Sequence, residues 1–182
     1  NLTDASLPKE VQRRRIDLIQ TMNRRQLERL ETDQQMEGVI ESFELAFRMQ
    51  TETPRLVDFS SESKATLDLY GIGEELTDTF GRQCLLARRF AEAGVRFVQV
   101  SLPGWDHHAK ITEGLQKQCM VSDKPIAGLL SDLKSRGLLY DTLVLWGGEF
   151  GRTPHAQNDG PGQTPGREHN QHGFTMWMAG GG

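Results

Sequence analysis

Apolar residues return at helical intervals through the first part of the chain, and the pattern then alternates between helical and strand-like runs. Across 8–50, Met36, Val39, Ile40, Phe43 and Phe47 recur at the 3.6-residue period, which predicts one apolar stripe and a helical hairpin. Ser60 and Ser61 offer caps for a short helix reaching Tyr70, closed by the Gly71-Ile72-Gly73 turn. Phe80, Cys84, Ala87 and Ala91 line one face of the next helix, Gly94 suits its stop, and 95–102 reads as a buried strand. Ile111, Leu115 and Cys119 resume helical spacing. Asp123 with Pro125 is expected to open a further helix, with Ile126, Leu129, Leu130 and Leu133 on its face and Gly137 as its stop. A second strand is predicted over 142–146.

Strand, helical crossover and strand make a βαβ unit, which implies a parallel pair with a right-handed connection. The predicted class is therefore α/β. A loop of about 25 residues rich in Gly, Pro, Asn, Gln and His follows Trp146 and leads to the apolar run 174–178. If that run lies antiparallel to the second strand, the loop stays at one sheet edge and brings His169 towards Glu149. A parallel strand would need the loop to travel the sheet's length, so the antiparallel arrangement is expected. Three strands are few for a doubly wound sheet. The chain opens on Asn1 and stops at Gly182 just after an apolar run, so it is expected to be one incomplete domain over 1–182. Its mainly helical part is 1–78, and 79–182 is the βαβ part carrying the polar loops.

Composition changes this picture little. A hydrophobic fraction of 36% with 25% charged residues is ordinary for a globular chain. A net charge of −4 argues against a general nucleic-acid binder, which needs an excess of Lys and Arg to neutralise phosphates. Arg13-Arg14-Arg15 and Arg24-Arg25 are interleaved with acidic residues and read as a solvated helix face. No apolar run is long enough to span a bilayer. Cys84 and Cys119 lack the spacing of a zinc or redox motif, and both read as buried small hydrophobes.

The chemistry is concentrated. His107, His108, His155, His169 and His172 are all the histidines of the chain, and they fall on the connections after the two predicted strands. Ligands of open α/β sheets bind at such strand ends. Asp106 accompanies the first pair and Glu149 follows the second strand. Carboxylates with imidazoles from separate strand ends suit zinc, manganese or iron. An acid/base cluster without metal and a set of solvated histidines are the other two readings. Arg152 and Arg167 share the long loop: their planar forks suit phosphate or sulfate oxygens, or they order the loop by pairing with Glu149, Asp159 or Glu168.

Four stretches in this order resemble a bacterial family: Gly104-Trp105-Asp106-His107-His108, Gly148-Glu149-Phe150-Gly151-Arg152-Thr153-Pro154, Gly166-Arg167-Glu168-His169, and the segment from Phe174 to the end. The family is the one catalogued as domain of unknown function 1501, grouped with the alkaline phosphatase and sulfatase superfamily. The resemblance implies the C-terminal part of an α/β/α sandwich with a mostly parallel sheet, and hydrolysis of phosphate or sulfate esters, small-molecule or polysaccharide, with divalent metal ions such as zinc, manganese or calcium. It makes Asp106, His108, Glu149 and His169 the metal ligands, and for such a hydrolase the two arginines of the long loop, Arg152 and Arg167, are the candidate substrate-binding residues. Phe150 stands where studied superfamily enzymes carry a histidine ligand, and Glu168 replaces the usual aspartate of the last motif. No nucleophile candidate is found in this chain. Family members are often exported through a twin-arginine signal, so export to the periplasm or cell surface is expected. The alternative is a non-catalytic binding or surface-associated protein that keeps the fold.

Overall fold

The structure, a computed structural model, describes residues 8–27, 53–158 and 160–181. The chain divides into two compact units, Asn1–Phe59 and Ser60–Gly182. In the first, α1 (Lys9–Leu27) carries Glu10 in its first turn and Arg24 and Arg25 in its last, charges that complement the helix dipole. Arg14, Arg15, Arg24 and Arg25 are exposed, and Arg13 pairs with Asp17 one turn on at 2.9 Å, the solvated face that the charge pattern predicts. The expected stripe from Met36 to Phe47 lies outside the described residues. No helix among the described residues is long and apolar enough to cross a membrane.

The second unit is built from α2 (Lys64–Leu69), α3 (Asp78–Glu92) and α4 (Ile111–Ser135), followed by a 3-10 turn (Leu138–Tyr140) and four short strands, β1 (Val144–Gly147), β2 (Gly151–Gln157), β3 (Gly166–Asn170) and β4 (Met176–Ala179). The cap of α2 is Ser63, whose hydroxyl accepts the Thr66 N–H at 3.0 Å, so this helix starts later than Ser60 or Ser61 would set it. Phe80 and Cys84 on α3 are buried with Tyr70, Ile72, Leu85 and Leu133. Gly94 and Gly137 both stand at positive φ after α3 and α4, the conformation that makes glycine a helix stop. Asp123 and Pro125 open no new helix. α4 runs through them unbroken, and Pro125 is fully buried in its inner face.

Between α2, α3 and α4 lies a cluster of charge that hydrophobic periodicity does not reveal. Arg88, 2% exposed, reaches Glu62 at 2.7 Å, Glu92 at 2.6 Å and Asp132 at 3.0 Å. Asp132 also receives Arg136 at 2.7 Å and the Tyr70 hydroxyl at 3.0 Å. Buried arginine is tolerated only when paired in this way. Burial and the facing Asp132 carboxylate push the Tyr70 phenol far above its ordinary range.

The fold is mixed helix and strand with small antiparallel sheets. The expected parallel pairing does not form among the described residues. β1 pairs β4 antiparallel with Trp146 opposite Trp177, and β2 pairs β3 antiparallel. Segment 95–102 belongs to no strand, and Phe97 within it is 81% exposed. Its apolar run carries the composition of a strand, but a strand exists only where a neighbour's backbone accepts its hydrogen bonds. The α/β/α sandwich with a mostly parallel sheet is therefore corrected, whereas the antiparallel course of the last apolar run is as expected. β2 and β3 arise inside the expected loop, with an irregularity between Arg152 and Ala156 that accommodates Pro154.

Both thiols are free. Cys119, expected to be buried, is exposed on α4, while burial pushes the Cys84 thiol up to about 12. A maleimide at neutral pH is expected to label Cys119 and to spare Cys84 until denaturant is added, as read by intact mass. Equal labelling of both in the native protein would contradict the packing of α3.

Candidate metal centre

The polar residues assemble on the β2–β3 ribbon because the segment before α4 joins it as a third extended run. Arg167 N–H donates to the His107 carbonyl at 2.9 Å, Lys110 N–H to Thr164 at 3.2 Å and Ile111 N–H to Pro165 at 3.0 Å. The approach is close. A Cβ on Gly166 would lie 2.0 Å from the His108 carbonyl carbon, so only glycine fits there. Lys110 then takes a left-handed φ of 50°, turning the chain from this run into α4.

Residues two apart in an extended run point to the same side. Asp106 and His108 do so, and they meet His169, which β3 sets opposite Arg152 of β2. Asp106 Oδ1 lies 2.9 Å from His108 Nε2, 2.9 Å from His169 Nε2 and 2.7 Å from Arg152 Nη1. His107 points the other way, its ring so close to α4 that a Cβ on Gly114 would overlap it at 2.4 Å. Trp105 packs edge-on against Trp146, centroids 6.0 Å apart, which anchors the turn carrying Asp106 to β1.

Glu149 Oε1 lies 3.9 Å from His169 Nε2 on an exposed side chain at the rim. Phe150 packs on the His169 ring with centroids 4.6 Å apart, so the residue that cannot ligate helps to orient one that can. The arginines behave differently from each other. Arg152 pairs with Asp106 and also donates to the Trp105 and Arg167 carbonyls at 3.4 Å. Arg167 donates to the Pro154 carbonyl and so ties β3 to the irregular stretch of β2. Among the described residues the contacts of both arginines run to these partners and not to Glu149 or Glu168, and Asp159 lies outside the described residues.

The hydrogen bond from His169, and then that from Arg152, hold the Asp106 carboxyl at about 2, well below its ordinary value of 3.8. The donor set fits a divalent cation: one carboxylate oxygen and two imidazole nitrogens lie within 4.8 Å of one another. Ligands about 2 Å from a tetrahedral ion stand roughly 3.3 Å apart, so a small adjustment would admit it.

Two contributors carry no metal signature in the sequence and are visible only here. Asn158 donates to the His108 carbonyl at 2.7 Å, and Gln157 Oε1 lies 2.7 Å from His108 Nδ1.

A family model described as "Protein of unknown function (DUF1501)" matches residues 2–182. The chain belongs to that family. The DUF1501 match takes in all four motif stretches, including Asp106, His108 and His169. No curated protein and no solved structure matches the chain.

Proposed function

We propose that this chain carries the metal-binding edge of a hydrolase acting on phosphate or sulfate esters, related to the alkaline phosphatases and sulfatases. The observation that carries the reading is the convergence of Asp106 and His108 from one segment and His169 from another onto one point. Asp106 and the two imidazoles bind the ion, and Glu149, 3.9 Å from His169, is the fourth donor. These residues would hold a divalent ion, which would supply Lewis-acid polarisation of an ester oxygen. Arg152, fixed by two carbonyls and only partly exposed, offers its fork to the anionic oxygens of the ester. Arg167 contributes to the anion site only by holding the strand that bears His169. Export to the periplasm or cell surface belongs to the same proposal, as does a small-molecule or polysaccharide ester as substrate.

The test is a screen of the protein against aryl phosphate and sulfate esters with zinc, manganese or calcium added. Turnover that a chelator removes and that Glu149→Gln lowers at least about tenfold is expected, since an outer or weak ligand typically contributes 10- to 100-fold. Metal binding without turnover of any ester would leave the second reading, a binding protein that retains one ion. Phe150 favours that reading, because it stands at the sequence position where the enzymes that the chain resembles carry a histidine ligand, and its ring packs on His169 instead.

A further inference from the structure

We infer that Gln157 is a positioning residue for this centre, fixing His108 in the ring form whose Nε2 is free to ligate. The inference rests on the metal-binding reading but follows from hydrogen-bond chemistry alone. Gln157 Nε2 lies 3.0 Å from Glu168 Oε2. A carboxylate only accepts, so the amide NH2 group faces Glu168 and the amide oxygen faces His108, at 2.7 Å from Nδ1. That oxygen also only accepts, so Nδ1 carries the hydrogen. In the neutral ring Nε2 then bears the lone pair, and Nε2 is the atom 2.9 Å from Asp106 Oδ1. A cation held by both atoms satisfies that arrangement, whereas the other neutral ring form would place a hydrogen on Nε2 and block the ligand atom.

Glu168 extends the device to the second imidazole. Its Oε1 accepts the His169 backbone N–H at 3.1 Å, so one carboxylate steadies both the amide behind His108 and the residue bearing the other ring. Gln157 ends β2 opposite Gly166, the position where the backbone of His108 comes closest. Ligating histidines generally donate their second ring N–H to such a partner, which sets the ring form and orientation.

The experiment uses the whole chain. Ring 15N NMR of the metal-free protein reports which His108 nitrogen carries hydrogen, and competition titration with zinc reports affinity. The wild type is expected to show the Nδ1–H form. Gln157→Leu is expected to lose that preference and to bind zinc roughly 10- to 100-fold more weakly. The double variant Gln157→Glu with Glu168→Gln keeps an acceptor facing Nδ1 and a hydrogen bond between the two side chains, and is expected to retain the ring form and to recover most of the affinity even if Gln157→Leu perturbs folding. Retention of the Nδ1–H form in a folded Gln157→Leu, or its loss in the folded double variant, would overturn the inference. A wild type that binds no zinc would defeat the metal-binding reading instead, and the ring-form measurement would still decide the role of Gln157.

Discussion

Alanine at Asp106 is expected to weaken divalent-metal binding by more than roughly 100-fold, beyond the 10- to 100-fold typical of outer-shell partners. Asp106 is the carboxylate on which His108, His169 and Arg152 all converge. Without it, the arginine that it neutralises is left beside the ion. His169→Ala removes a proposed ligand and the ring on which Phe150 packs, and is expected to lose affinity on the same scale. Elemental analysis of the purified variants with a zinc competition titration measures both effects. Unchanged metal content in both variants would remove the centre.

The same titration run in acid tests the carboxylate. The Asp106 carboxyl is lowered from 3.8 to about 2, so its favourable contacts are fully present above its unfolded value and are lost only as pH falls through about 2. Metal is therefore expected to have left by the point at which the Asp106 carboxyl is protonated, and metal still bound well below pH 2 would contradict ligation by Asp106.

Arg88→Met is expected to destabilise the fold by about 3–5 kcal/mol, the usual result of removing one partner from a buried ionic cluster. The side chain is 3% exposed and is the shared partner of Glu62, Glu92 and Asp132. Its removal leaves the nearly buried Asp132 carboxylate to Arg136 and Tyr70 alone. In a chain of this length each kcal/mol lowers the melting temperature by about 2–4 °C, so thermal denaturation resolves the effect. Arg88→Lys keeps the charge without the branched fork and should fall between the two. A melting curve for Arg88→Met that overlays the wild type would mean that the cluster adds nothing to stability.

Helical segments were legible wherever short-range spacing decides them. Phe80 and Cys84 mark the buried face of α3, and Gly94 and Gly137 mark its end and that of α4, because a helix closes its hydrogen bonds within one turn. Arg88 lies on the same face and was invisible, since an arginine reads as solvent-facing until its three carboxylate partners are known. The irregular ribbon of β2 and β3 was equally hidden. Gly, Pro and Asn obscure its alternation, and its pairing joins residues as far apart in sequence as Gly151 and Asn170.

By itself the sequence determined that Asp106, His108, Glu149 and His169 form a polar set within the C-terminal half, and that the last apolar run returns antiparallel to the strand ending near Trp146. Only the tertiary structure decided that 95–102 stays unpaired, that Gln157 and Glu168 stand behind the two imidazoles, and that Arg152 faces Asp106. The reason is physical. Residue type and short-range period are properties of the chain, whereas strand partners, and the side chains that a shared register brings face to face, exist only once distant segments have met.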